Sequence, residues 1–315
     1  MHVLGIDVGG TKTVCLLANE DGTILAEARE AGANLQGVGE LALEKVLHTV
    51  METALAGQRV MPSAICLGIA GVDRAEDHQV VQGIMDRIGY KATILIVNDA
   101  LIALQAGIGD APGIVIVSGT GSIAYGRNTR GDAARAGGWG YVLGDEGSGY
   151  WIGRLALRAA VRHADGRGGE TSLTPRLLRH FGLTGAAELI HKVYHEELSP
   201  SAIGALARFV QEARDDGDLV AAGILDHAAE ELVTAAAAVM KRLEMDHESF
   251  SFVLAGGMFH AVPWLCDQLK VLLPPLAPHS RTIRLEKDPA LGAVQLALAA
   301  VQGRAKTPAY RPNLI

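Results

Sequence analysis

Along this chain, short apolar runs alternate with segments whose apolar positions recur every three or four residues. The runs "HVLGID", "VCLLAN" and "TILAEA" come first and read as three strands joined by turns. "ELALEKVLHTVMETAL" then carries the helical period. "AICLGIA" returns to a strand, residues 76–88 to a helix, and "TILIVND" to a strand. Helix following strand repeatedly predicts a sheet that is partly parallel. Residues 147–243 are mostly helical in pattern, and "LVAAGILDHAAEELVTAAAAVMKRL" is their longest periodic segment. "FSFVLAGGM" reads as a late strand ending in a glycine turn. "DPALGAVQLALAAV" reads as a closing helix with Pro289 early in it, where helices accept proline, and "AKTPAYRPNLI" as a loose tail.

One pattern occurs twice. "VLGIDVGGTKTVCLLANEDG" and "GIVIVSGTGSIAYGRNTRG" each run strand, turn of glycines and hydroxyls, strand, and then an Asn-x-x-Gly turn, at Asn19–Gly22 and Asn128–Gly131. Two related halves predict two lobes with a ligand cleft between them. The expected division is residues 1–112 with 286–303 in one lobe and 113–285 in the other. A chain of 315 residues is also longer than one ordinary core requires.

Composition narrows the function. Apolar residues are 49% and charged residues 20% of the chain, as in a folded globular protein. The net charge is −7 and no basic block stands out, which argues against nucleic acid or an anionic membrane as the main partner. The start lacks the basic and apolar regions of a secretory signal, and no uncharged apolar run approaches the ~18 residues of a membrane span. Cys15, Cys66 and Cys266 are widely separated and form no CxxC. They read as buried reduced thiols of a cytoplasmic protein.

Three turns share one chemistry: Asp7-Val8-Gly9-Gly10-Thr11-Lys12-Thr13, Ser118-Gly119-Thr120-Gly121-Ser122 and Ala255-Gly256-Gly257-Met258, each after an apolar strand. Glycines let backbone N–H groups point at phosphate oxygens, and Thr and Ser add hydroxyl donors. Each turn alone also suits an ordinary hairpin; the three in this order, with Asp7 before the first, point to phosphate. Asp7 could hold Mg²⁺ through water, since Mg²⁺ takes few carboxylates and keeps its waters. Neither GxxxxGK[ST] nor a GxGxxG at a first strand–helix turn occurs, so P-loop and Rossmann cofactor sites are not expected. His191, His195 and Glu196 have the spacing of metal ligands but no third ligand at a known spacing, and read as an exposed polar face.

The DxGGTxT opening, "VNDA", "SGTGS", "GGWGYVLGDEGSGYWIG", "LAGGM" and "DPALGA", in this order over about residues 3–300, carry a resemblance. The chain resembles the N-acetylglucosamine kinases, in the BadF/BadG/BcrA/BcrD-type branch of the actin/hexokinase/Hsp70 ATPase superfamily. The resemblance implies an α/β fold of two ribonuclease-H-like domains with ATP, Mg²⁺ and sugar in the cleft, and a homodimer. It implies that Gly9, Gly10, Thr11, Lys12 and Thr13 form a first phosphate loop and Ser118, Gly119, Thr120 and Gly121 a second. Gly256 and Gly257 would lie near the adenosine.

Asp99 in "IVNDA" ends an apolar strand and opens a helical stretch. Phosphoryl transfer needs positioning, charge stabilisation and a group to take the hydroxyl proton. Asp99 suits that last role, which the resemblance also implies. It equally suits the N-cap of a helix beginning at Ala100. Trp139 beside Asp145 and Glu146 offers an aromatic face and acids for a sugar, or simple core packing. The resemblance implies Asn34, Asp99, Gly138, Trp139 and Asp145 as sugar contacts. The function expected is transfer of phosphate from ATP to the 6-hydroxyl of N-acetylglucosamine. Competing readings are a glucosamine kinase, a sugar-sensing module and a reductase activator. Asp7 and Asp99 count against the sensor. The activator needs cysteines placed to ligate a cluster.

Overall fold

The computed structural model describes residues 1–33, 39–72 and 74–305 and the backbone of 309–310. β1 (His2–Val8), β2 (Lys12–Asn19) and β3 (Ile24–Ala31) form an antiparallel meander. α1 (Glu40–Leu55) leads to β4 (Ala64–Ile69), α2 (Ala75–Ile88) to β5 (Thr93–Asn98), and α3 (Asp99–Ile108) follows directly. β4 and β5 add in parallel, giving the order β3-β2-β1-β4-β5.

The second half repeats this plan. β6 (Gly113–Ser118), β7 (Ser122–Arg127) and β8 (Asp132–Gly137) are an antiparallel meander. A helical stretch from α4 (Gly149–Ala164) to α5 (Leu219–Arg242) leads to β9 (Ser251–Ala255). α6 (Pro263–Leu272), β10 (Arg281–Arg284) and α7 (Ala290–Val301) complete it. The sheet order is β10-β9-β6-β7-β8, with the two-residue β11 (Ala309–Tyr310) beside β8. Apart from β11 this is the same ribonuclease-H-like order, so the duplication in the sequence is a duplication of fold. The two Asn-x-x-Gly turns match as well. Asn19 Oδ1 accepts the N–H groups of Asp21 and Thr23, and Asn128 Oδ1 those of Arg130 and Asp132. One expectation is corrected: the tail is not wholly loose, because β11 (Ala309–Tyr310) pairs in parallel with Asp132 and Ala133. Among the described residues no helix is long and apolar enough to cross a membrane.

The period of two along β1 sorts its side chains. Leu4, Ile6 and Val8 join Leu43, Leu47 and Ile84 of α1 and α2 on the outer face of the first sheet. Val3 joins an inner core made with α3, α7 and the second sheet, which includes Leu101, Ala293, Val115 and Val253. Gly5 and Asp7 share that inner face. A Cβ at Gly5 would lie 2.4 Å from the Val294 nitrogen. Backbone therefore approaches backbone there, and Asp7, one pleat on, emerges beside the start of α7.

α3 and α7 occupy equivalent places in the two repeats and cross between the sheets. Their closest approach is at Gly292, where a Cβ would lie 1.9 Å from the Ile102 carbonyl oxygen and 2.8 Å from the Ala106 nitrogen. Overpacking of a tight core typically costs about 1–3 kcal/mol. Gly292→Ala should therefore lower Tm by several degrees. Gly223→Ala, on the exposed side of α5 with open space around it, should leave Tm unchanged or raise it, since alanine is about 0.5–1 kcal/mol better than glycine inside a helix. Thermal melts of the two variants read the contrast, and equal Tm values would refute the close crossing.

Candidate active site

The first glycine turn is a tight hairpin between β1 and β2. The Gly9 N–H donates to the Lys12 carbonyl at 3.0 Å, and Ala33 N–H donates to the Gly9 carbonyl. The second turn joins β6 and β7, with Gly119 N–H donating to the Gly121 carbonyl at 2.9 Å. The hairpin tips come together: the Thr11 and Thr120 hydroxyl oxygens are 3.2 Å apart, although 109 residues separate them in sequence. The third turn closes on the second. Gly256, at φ 108°, lies so near Ser118 that a Cβ would sit 2.2 Å from its carbonyl oxygen. The start of α4 also meets the second turn, with Gly149 and Tyr150 N–H groups donating to the carbonyls of Gly119 and Thr120.

Two expected phosphate-loop side chains are committed elsewhere. Thr13 is fully buried, and its hydroxyl donates to the Ala31 carbonyl at 3.0 Å. Ser118 is fully buried, and its hydroxyl donates to the Gly147 carbonyl at 2.8 Å. Both brace their hairpins, and the open hydroxyls of the tips are those of Thr11 and Thr120.

Acidic groups gather beside the first hairpin. Burial pushes the Asp7 carboxyl up to about 7, Asp99 and Asp288 push the same way, and Lys12 opposes them. Asp99 is half-buried at the first residue of α3. The helix begins one residue earlier than the alternative role of Asp99 requires: Asn98 is the N-cap, its Oδ1 accepting Ala100 N–H at 2.8 Å. Asp99 Oδ1 lies 2.9 Å from the same N–H, but the cap does not depend on it. Asp288 is a residue that sequence reasoning did not select. It forms an ion pair with Lys12 at 3.1 Å across 276 residues of sequence. Its only sequence signal is its place in "DPALGA".

The segment around Trp139 is wound by glycines: Gly137, Gly138, Gly140 and Gly147 all have positive φ. Asp145 also has positive φ, at 63°, a conformation that non-glycine residues adopt at a cost. It is buried against the second hairpin, where its Oδ1 accepts the Ser122 N–H at 3.2 Å. A Cβ at Gly121 would meet its Oδ2 at 2.8 Å. Burial raises its carboxyl above the ordinary range, and the Ser122 N–H offsets part of that. Trp139 is half-exposed, and its ring is faced by the Arg135 guanidinium, 4.7 Å from the centroid. The aromatic face expected beside Asp145 and Glu146 thus has a cation beside it, while Asp145 lies against the second hairpin. Gly138 is fixed by its N–H to the Ser122 carbonyl at 2.9 Å. Asn34 lies outside the described residues.

Other expectations resolve simply. His191 and His195 stack on each other, and His191 faces Glu196 on an exposed surface. All three cysteines are free and buried, and burial pushes the Cys15 and Cys66 thiols up to about 12. Such thiols are poor cluster ligands, which weighs against a reductase activator.

The comparisons with known proteins agree in direction. The sequence profile of the BadF/BadG/BcrA/BcrD ATPase family matches residues 4–297. The N-acetylmuramic acid/N-acetylglucosamine kinase of Clostridium acetobutylicum is 38% identical over 299 residues, 94% of this chain and 98% of that one. The N-acetyl-D-glucosamine kinase of Dictyostelium discoideum is 36% identical over 309 residues, 94% and 97% of the two chains. A solved structure from Chromobacterium violaceum, provisionally named an N-acetylglucosamine kinase, superposes with a TM-score of 0.77 at 29% identity, covering 94% of this chain and 98% of that one.

The buried carboxylates make the empty enzyme sensitive to pH. The folded form holds the Asp7 proton up to about pH 7, whereas an ordinary aspartate loses it near 3.8. The contribution is therefore present at low pH and is lost as pH rises through about 7. Without nucleotide or metal, Asp7→Asn should melt several degrees above the unsubstituted chain at about pH 8, with the gap closing towards about pH 4. Differential scanning calorimetry across that range tests this; a variant that melts lower at every pH would overturn it.

Proposed function

The chain belongs to the BadF/BadG/BcrA/BcrD ATPase family, and on that premise we propose that it is an ATP-dependent amino-sugar kinase that phosphorylates the 6-hydroxyl of N-acetylglucosamine. The observation that carries this reading is the meeting of two duplicated glycine hairpins at Thr11 and Thr120, with Asp7 and Asp99 beside them. The turns leave room for an extended phosphate chain. A Cβ at Gly10 or Gly257 would meet nothing within 4 Å, and one at Gly119 nothing nearer than 4.0 Å.

In this reading the backbone N–H groups of Gly10, Thr11, Thr120 and Gly121 bind the phosphates, with the Thr11 and Thr120 hydroxyls and Lys12, while Gly9 and Gly119 close the two turns that present them. Gly256 and Gly257 lie near the adenosine. Among the described residues no three acidic or histidine side chains come together to hold a metal ion directly, so Asp7, the buried carboxylate of the first hairpin, would hold Mg²⁺ through water. The chemistry such an ion would supply there is neutralisation of charge on the transferring phosphoryl group. Asp99 takes the proton of the sugar hydroxyl as it attacks. Trp139 offers its face to the C–H side of the ring, and Gly138, Asn34 and Asp145 complete the sugar contacts, with Asp145 also bonded to the Ser122 N–H. The reading includes a cytoplasmic homodimer, and light scattering coupled to size exclusion reads the assembly.

Two experiments test it. An ATP-coupled assay over amino sugars and hexoses should give N-acetylglucosamine a kcat/KM at least about tenfold above glucose, because groups built to bind the acetamide are left unpaired by glucose. N-Acetylmuramic acid belongs in the panel, since it is named in the Clostridium relative. Equal values for N-acetylglucosamine and glucose refute the reading; a preference for glucosamine favours the alternative.

Asp99→Asn should lower kcat by at least about 10²-fold with Tm nearly unchanged and sugar still bound, because the cap belongs to Asn98. Asn98→Ala is the control. It should cost about 1 kcal/mol of stability and spare most of the activity. Near-normal kcat in Asp99→Asn would mean that another group takes the proton.

A further inference from the structure

α7 begins where the first hairpin ends in space, and one side chain joins them. Asp288 Oδ1 accepts the N–H of Ala290, the first residue of α7, at 3.1 Å. Its Oδ2 accepts the Lys12 ammonium at 3.1 Å, and Arg29 Nη2 lies 3.9 Å from the same oxygen. Both cations belong to the β2–β3 ribbon. Lys12 shares a face with Val14, and Val14 pairs with Arg29, so both side chains reach the inner face where α7 starts.

The carboxylate is itself held firmly. α7 packs backbone to backbone on α3 at Gly292 and Ile102, and on β1 at Gly5 and Val294. Its own backbone bond fixes the other oxygen. Lys12 keeps half of its side-chain surface exposed, whereas Asp288 keeps 21%. An ammonium has three donors. One is given to Asp288, and the rest of the group faces outward at the hairpin that carries Gly9 and Gly10.

Resting on the kinase reading above, the geometry points to Asp288 as the positioning residue for Lys12. It holds the ammonium at the edge of the first phosphate hairpin, so that a polyphosphate meets a cation already in place. A lysine on four rotatable bonds would otherwise lose that freedom on binding. Asp288 touches no phosphate in this role and acts through Lys12.

The test uses the intact enzyme and the non-hydrolysable probe AMPPNP with Mg²⁺, read by titration calorimetry. Asp288→Asn keeps an oxygen for the Ala290 N–H and removes the charge that holds Lys12. It should weaken AMPPNP binding about 2- to 5-fold, the range for losing one partly exposed ionic anchor. KM for ATP should rise with it, while KM for the sugar stays within roughly twofold. Lys12→Met should weaken AMPPNP binding at least as much, and adding Asp288→Asn to it should cost nothing further. Unchanged AMPPNP affinity in Asp288→Asn together with a lower Tm would make Asp288 merely structural. Tighter binding would make it a competitor of the nucleotide, and additive losses would make the two residues independent. Each of these overturns the proposal. The kinase reading fails separately: if the unsubstituted chain binds AMPPNP but phosphorylates no sugar, the acceptor is wrong while the role of Asp288 is still decided by the variants.

Discussion

Everything near the candidate site depends on how closely α3 and α7 cross. The two helices are equivalent parts of the two repeats, and they meet backbone to backbone at Gly292 and the Ile102 carbonyl. That contact needs small residues on every surface facing it. Gly5, Gly68 and Ala64 meet the need on the first sheet, and Ala255 on the second. α3 starts at Asp99 and α7 starts just after Asp288. A crossing without play therefore fixes the distance between two carboxylates that lie far apart in sequence, and it also sets the first hairpin, through Lys12.

The site has a cost in stability. Three carboxylates share one region, and the most buried of them, Asp7, holds its proton to about pH 7. Asp145 sits buried at positive φ, near Glu146, with the Ser122 N–H as a backbone donor. A sequence optimised for stability would have neither. Helix ends and turns elsewhere follow the ordinary rules: Asn98, Ser148 and Asp218 cap their helices, and both Asx turns are fully bonded.

Much of this was legible in the chain because local rules sufficed. The period of two in "HVLGID" and the period near 3.6 in "ELALEKVLHTVMETAL" located strand and helix, and the repeated glycine turns revealed the duplication. What was not legible depends on direction or on distance. Thr13 and Ser118 were the right residue types for phosphate donors, but β-strand alternation turns their hydroxyls inward to Ala31 and Gly147. Trp139 and Asp145 are close in sequence, yet the positive-φ backbone between Gly137 and Gly147 sends them to different neighbours. Asp288 meets Lys12 only because α7 returns to the first sheet, which no local pattern announces.

The position of α7 also bears on how the protein is made. Its residues are among the last of the described chain to be synthesised, yet they pack on β1, which is the first. Until residues 290–301 leave the ribosome, the β1 side of the first sheet's inner face has no helix of its own. The N-terminal repeat is thus a late finisher, although its strands emerge first, and its exposed Val3 and Val14 are open to aggregation in the interval. The contact that completes the first repeat is therefore among the last that a growing chain can make.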